Sequence, residues 1–182
     1  MPFALWLNDE AVQADRVGRP VDRLDLLLRA ARLPAREAME RPVYRDETIG
    51  DVRDPATSRV LAGMRTAPES REFADTAAAM RRGTSPGGYR AENTTLAVVA
   101  TNARLTKLQA TKMAQVAQHG LVRTISPVHT TFDGDLIIGL ATGEVEAEPN
   151  GVGLAAADIV AEAVVRAVKA ATSLGGLPAW RD

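Results

Sequence analysis

The stretch TTLAVVATN, Thr94–Asn102, constrains the fold of this chain more than any other. It is a near-continuous apolar run rich in β-branched residues. It is far shorter than the roughly 20 apolar residues a membrane-crossing helix needs. Its length and composition suit a strand buried on both faces. The text that follows has the other period. In LTKLQATKMAQVAQHG, Thr106 and Gln109 give the T-x-x-Q capping-box pattern, and Ala110, Met113, Ala114 and Ala117 share one helical face. Gly120 supplies the stop, and Leu121–Ile125 reads as a short strand. HTTFDGDLIIGLATG gives a turn at Asp133-Gly134 and a strand over Leu136–Ala141. GEVEAEPNGVG reads as an acidic, mobile loop. Leu154–Thr172 reads as a long helix with Val160, Val164, Ala167, Val168 and Ala171 on one side, closed by Gly175-Gly176 and Pro178.

Upstream of the run, IGDVRDPATSRVLAG reads as strand, turn, strand, with Asp54-Pro55 opening the turn. SREFADTAAAMRRG reads as a helix with Ser70 as N-cap, Phe73, Ala77 and Met80 on one face, and Gly83 just past the end. TSPGGYR, Thr84–Arg90, is a loop that delivers the chain to Asn93. Residues 1–45 have no clear period beyond one short helix at Val21–Pro34, and read as a loosely organised arm. From Ile49 the order is therefore β-β-α-loop-β-α-β-β-α. Apolar strands alternating with alanine-faced helices predict an α/β chain with helices packed on sheet.

Composition removes several classes of function. With 182 residues the chain can bury a real core. A net charge of −1 offers no electrostatic case for nucleic acid or an anionic membrane. Cysteine is absent, which leaves no thiolate nucleophile and no disulfide. His119 and His129 are the only histidines, so no histidine-rich metal site is expected. MPFALWLNDEAVQADR lacks the charged start and apolar core of a secretory signal, and a cytoplasmic location is the default expectation.

Asn93-Thr94 poses the chemical question. Locally, Asn93 suits the end of a turn and Thr94-Thr95 the edge of a strand. The alternative is a cut. The Thr94 hydroxyl attacks the Asn93 carbonyl and turns the amide into an ester, which water hydrolyses. The new N-terminal threonine then carries a hydroxyl and an α-amine whose pKa is about 7.7–8.0, a built-in base. Gly87 and Gly88 would let the backbone reach the strained first step. FDGD, Phe132–Asp135, is open in the same way. Asp-Gly is an ordinary hairpin turn with solvated aspartates. Alternatively, Asp133 and Asp135 stand at the mouth of a strand near the nucleophile and orient it. His129 lacks the G-x-S-x-G elbow of a triad enzyme and reads as a packed or capping residue. Asn102 and Lys107 read as loop and helix-start polarity.

The stretch ENTTLAVVATNARLTKLQATKMAQVAQHGLVRTISPVHTTFDGDLIIGLATG resembles the core of the DmpA-type aminopeptidase family. That group comprises L-aminopeptidase/D-amidase/esterases, β-aminopeptidases and nylon-oligomer hydrolases. GDVRDPATSRVLAG and GLPAWRD resemble further family segments, so the likeness runs from about Ile49 to Asp182. It implies a precursor that cleaves itself before a Ser or Thr. It implies an α/β (α+β) fold, a layered αββα sandwich of the N-terminal-nucleophile-like type, and assembly into homo-oligomers. By the same resemblance Thr94 is the nucleophile, Asn93 precedes the cut, and Asp133 and Asp135 are the paired acids of the nylon-hydrolase branch, where a β-aminopeptidase carries Ser and Glu. The chain would then divide into an unmatched arm (1–45), a remnant of the α-chain (46–93) and a β-chain (94–182). The implied substrate is a peptide or small amide, opened through an acyl-enzyme on Thr94 without cofactor, metal, nucleic acid or membrane partner. The resemblance also marks what this chain lacks: a long upstream segment supplying half the sheet, a pocket tyrosine and an oxyanion-hole asparagine. Glu47 or its neighbours, in RPVYRDETIGDVRD, stand in that asparagine's place. The sandwich is accordingly expected to be incomplete, with an uncovered edge on the strands after Thr94. A catalytically inactive fragment that serves as a structural or oligomer subunit stands beside the enzyme as the second reading.

Overall fold

The apolar run after Thr94 folds as an inner strand of a four-stranded sheet in the computed structural model, which describes residues 3–7, 10–14, 49–67, 70–83, 94–173 and 178–181. The strands are β1 (Phe3–Leu7), β2 (Glu10–Ala14), β3 (Asp51–Arg53), β4 (Val60–Ala62), β5 (Leu96–Ala103), β6 (Ile125–Ser126) and β7 (Leu136–Val145). The helices are α1 (Thr76–Arg81), α2 (Lys107–Thr124) and α3 (Pro149–Ala170). From β3 onward this is the α/β order read from the sequence. The helix expected at Val21–Pro34, the Thr84–Arg90 loop, Asn93 and Gly175-Gly176 lie outside the described residues.

The larger sheet runs β2-β1-β5-β7. β5 pairs antiparallel with β1 (Leu5 opposite Val99) and parallel with β7 (Leu96 opposite Leu136). The first residues therefore contribute a hairpin to the sheet, where periodicity alone suggested an arm without strands. β1 covers the edge of β5 that was expected to be open, and β2 and β7 are the outer strands among the described residues. Parallel neighbours cannot be joined by a tight turn. Here α2, β6 and the FDGD turn carry the chain back to the end of the sheet where β5 begins.

α2 and α3 pack on each other over one sheet face. Ala97, Val99, Ala103 and Ile137 meet Met113, Ala117 and Leu121 of α2 and Val152, Ala156, Val160 and Ala163 of α3. A side chain such as Leu121, with no exposed surface, contributes about 1.5–3 kcal/mol by its burial. Small residues let the layers approach. A Cβ on Gly120 would lie 2.5 Å from the Ala157 carbonyl oxygen, and one on Gly139 would lie 2.8 Å from that of Ala110. Among the described residues the opposite sheet face is exposed where β5 and β7 begin. Leu96 is 53% exposed, Leu136 50% and Ile138 46%. Further along that face Ala100 is only 5% exposed, so β5 is covered on one face where it begins and on both at its middle.

The smaller sheet, β4-β3-β6, is held by a buried carboxylate. Asp51 Oδ1 accepts from Thr76 Oγ1 (2.6 Å) and the Met64 N–H (3.2 Å), Oδ2 accepts from the Thr76 N–H (2.9 Å), and Arg53 stands 3.6 Å away. A carboxylate without exposure needs such donors.

Local caps shift several boundaries. The helix expected to start at Ser70 begins at Thr76, capped by Asp75, whose carboxylate accepts from the Ala78 N–H. Ser70 instead closes a turn with Thr66 and Glu72, and Phe73 sits in a bridge opposite Arg65. The Thr106–Gln109 capping box forms in both directions. Gly120 does not end α2. It is the contact point with α3, and Leu121–Thr124 remain helical rather than extended. Much of the acidic "loop" is ordered: Glu148 accepts from the Asn150 and Gly151 N–H groups and starts α3 at Pro149. Those two bonds hold the Glu148 carboxyl below its ordinary pKa. The N–H groups of Ala56 and Thr57 do the same for Asp54 in the β3–β4 turn. No helix among the described residues is long and apolar enough to cross a membrane.

Candidate active site

The parallel register between β5 and β7 keeps a constant sequence offset, from Leu96 opposite Leu136 to Thr101 opposite Ala141. The residues just before the two strands therefore meet at one end of the sheet. Thr95 and Asp135 are the last of them. The Thr95 N–H donates to Asp135 Oδ1 at 2.8 Å, and the Leu136 N–H donates to the Thr95 carbonyl at 3.0 Å. Thr94 is half-buried and immediately precedes this pair. The site lies at the amino ends of the strands, whereas crevices of open parallel sheets usually lie at the carboxyl ends.

The two aspartates have different partners. Asp133 closes its own turn: its Oδ2 accepts from the Thr130 N–H (2.8 Å) and Thr130 Oγ1 (2.9 Å), and its N–H donates to the Thr130 carbonyl (3.1 Å). No hydrogen bond links it to Thr94 among the described residues. Asp135 is not the solvated turn residue that Asp-Gly suggests, since its side chain is only 4% exposed. Its second oxygen accepts from the His129 N–H at 3.3 Å and lies 2.9 Å from His129 Nδ1. Three donors thus converge on one buried carboxylate. The structure brings Thr94 and Asp135 to the same strand ends and places Asp133 two residues away within the supporting turn.

His129 is the residue whose part in the site the sequence did not disclose. It has a left-handed backbone, φ 57°, a conformation uncommon for non-glycine residues. The only textual signal was its position six residues before Asp135 across a tight turn. Asn102 and Lys107 lie towards the far end of β5 and beyond it, away from Thr94. Asn93 falls outside the described residues. The described residues contain no group of three or more His, Cys, Asp or Glu that could hold a metal ion.

A cavity of about 560 Å³ opens between β4, the end of α3 and Pro178–Trp180, with Arg59, Arg65, Phe73 and Trp180 in its wall. None of Thr94, Asp133 and Asp135 lines it.

Chemically, the strand ends offer a threonine one residue before the main-chain N–H that binds a fixed, buried carboxylate. The chain is 44% identical over 103 residues to an uncharacterized aminopeptidase of Mycobacterium leprae, covering 48% of this chain and 28% of that protein. It is 39% identical over 105 residues to an uncharacterized aminopeptidase of Mycobacterium tuberculosis, covering 50% of this chain and 30% of that protein. The chain thus spans under a third of the length of these curated relatives. The model of peptidase family S58 matches residues 31–179, from well upstream of Ile49 almost to the last residue. On that match, with the strand order and the paired strand ends it encloses, this chain belongs to peptidase family S58.

Proposed function

We propose that this chain is a self-processing amide hydrolase of the aminopeptidase kind, with Thr94 as its nucleophile. The observation that carries the reading is the 2.8 Å bond from the Thr95 N–H to Asp135. It tethers a buried carboxylate to the peptide that follows Thr94, one residue past the new N-terminus. In the first step Thr94 Oγ adds to the Asn93 carbonyl carbon and the C–N bond breaks. The proton lost by Oγ passes to the nitrogen, which becomes the Thr94 α-amine. Water then cleaves the ester, leaving Asn93 with a carboxyl group and Thr94 with its hydroxyl. In turnover the α-amine draws the proton from Oγ, Oγ attacks the substrate carbonyl, and the leaving amine departs with that proton. Water finally hydrolyses the acyl-enzyme. Asp135 holds the Thr94–Thr95 peptide and favours the cationic form of the amine nearby. Asp133 supports the turn that carries Asp135. The substrate class is a peptide or short amide, and the relatives' aminopeptidase names point the same way.

Intact-mass measurement on the purified 19.4 kDa chain tests this. The expected result is two species, residues 1–93 and 94–182, whose masses sum to the precursor plus one water, and a single uncut species for Thr94→Ala. Uncut wild-type chain under all conditions sinks the reading.

A second reading is favoured by the open face around Leu96, Leu136 and Ile138. On it, the chain is an inactive subunit that works only when another polypeptide covers that face. Mixed cut and uncut protein that gains amide hydrolysis only on adding a complementing chain would support it.

A further inference from the structure

We propose that His129 is the positioning residue of this site. Through its Nδ1–H and its main-chain N–H it holds the Asp135 carboxylate on the Thr95 amide, and so fixes where Thr94 stands. This rests on the reading of Thr94 as nucleophile and extends it to a residue with no part in the sequence-based site.

The geometry is specific. Both His129 donors reach the same oxygen, Asp135 Oδ2, at 2.9 and 3.3 Å. One residue can aim both at one atom here because its backbone is left-handed, φ 57°. That conformation costs free energy in a residue with a Cβ and persists only where its surroundings demand it. The turn itself does not demand it, because Thr130 and Asp133 close the turn through their own bonds. What the conformation secures is the carboxylate.

Loss of the imidazole has a definite consequence. Asp135 is 4% exposed against 36% for His129, so water entering the vacated space could hydrate the carboxylate but would not hold it in place as a fixed donor does. Oδ2 would keep only the long main-chain bond. A carboxylate is rigid, so when Oδ2 shifts, Oδ1 shifts with it and the bond to Thr95 lengthens. The Thr95 N–H lies in the same peptide plane as the Thr94 carbonyl and Thr94 Cα. Releasing that plane releases the atom from which Oγ and the α-amine both hang.

The contact also fixes the imidazole's proton. An ionised carboxylate only accepts, so in this contact Nδ1 carries hydrogen.

The test uses the full chain labelled with ¹⁵N. With only two histidines, the imidazole nitrogens are resolvable and His119 serves as reference. The expected spectrum shows protonated Nδ1 on His129, and a bare Nδ1 overturns the proposal. His129→Ala should speed Thr95 amide exchange and slow appearance of the cut chain by about 10- to 100-fold, as losing a hydrogen bond to a charged group does. His129→Asn keeps a donor at the Nδ1 position in a residue that accepts the left-handed backbone, and should recover most of both. Unchanged Thr95 exchange in the alanine variant refutes the role. If that variant fails to fold, the asparagine variant and the wild-type imidazole spectrum decide. If the wild-type chain is never cut, the Thr94 reading falls, while exchange and imidazole protonation still judge His129.

Discussion

Replacing Gly120 by alanine probes the contact that fixes the two long helices over the sheet. The added Cβ would stand 2.5 Å from the Ala157 carbonyl oxygen, 2.6 Å from Val160 Cβ and 2.7 Å from Val160 Cγ1. Comfortable separations for such pairs are about 3.5–4.0 Å, so α2 and α3 must part by nearly an ångström. The nearest contact is backbone and cannot rotate away. Parting the helices loosens the fully buried Met113, Leu121, Val152 and Val160 along the seam. Overpacking of this kind costs about 1–3 kcal/mol. The gain in helix propensity from glycine to alanine returns roughly 0.5–1 kcal/mol. The net expectation is about 1–2 kcal/mol of destabilisation. With a urea dependence of roughly 1–3 kcal/mol per molar, the midpoint falls by about 0.3–2 M. Urea titration followed by far-ultraviolet circular dichroism reads this directly. Gly151→Ala is the control. It lies in the first turn of α3, and its Cβ would come no nearer than 3.5 Å to a Glu148 oxygen. It should stabilise by roughly 0.5–1 kcal/mol. If both glycine variants shift the midpoint in the same direction, close approach at Gly120 does not govern this packing.

Two further outcomes follow from the electrostatics. Glu148 has its pKa lowered in the folded chain by the Asn150 and Gly151 N–H groups. A depressed carboxylate stabilises above its unfolded value, near about 4.3, and that stability disappears as pH falls through the lower folded value. Acid titration of helicity should therefore show α3 weakening below that range in the wild type. Glu148→Gln should be weaker at neutral pH and flatter across the same window. Asp51→Asn turns one of two accepting oxygens into a donor facing the Thr76 N–H and Arg53. It should cost about 1–3 kcal/mol, seen as a fall in thermal midpoint of about 2–4 °C per kcal/mol. An unshifted midpoint would show that the buried cluster around Asp51 contributes nothing net.

Much of this protein is legible as text. The capping box at Thr106–Gln109, the apolar run after Thr94, the turn at Asp54-Pro55 and the alanine-faced helices are local events. Each depends on a few adjacent residues, so their order and kind follow from the sequence alone. The resemblance carried by TTLAVVATN and FDGD likewise depends on residues in line, and the family match agrees with it. The misreadings have one physical cause. Gly120 looks like a helix stop because its other use, room for Ala157 and Val160, lies 37 and 40 residues downstream in the chain. The hairpin at Phe3–Ala14 gives a weak local signal because its place is set by pairing with β5, far along the chain.

Sequence determined the inventory: a strand opening on two threonines, a turn with two aspartates, and helices small enough to pack closely. Tertiary structure decided which members meet. The parallel register sets residue 95 beside residue 135, gives Asp135 rather than Asp133 to the threonine end, and brings His129 onto the other oxygen of the same carboxylate. No periodicity encodes that choice, because it arises when two strand ends distant in sequence share one buried carboxylate that must be satisfied.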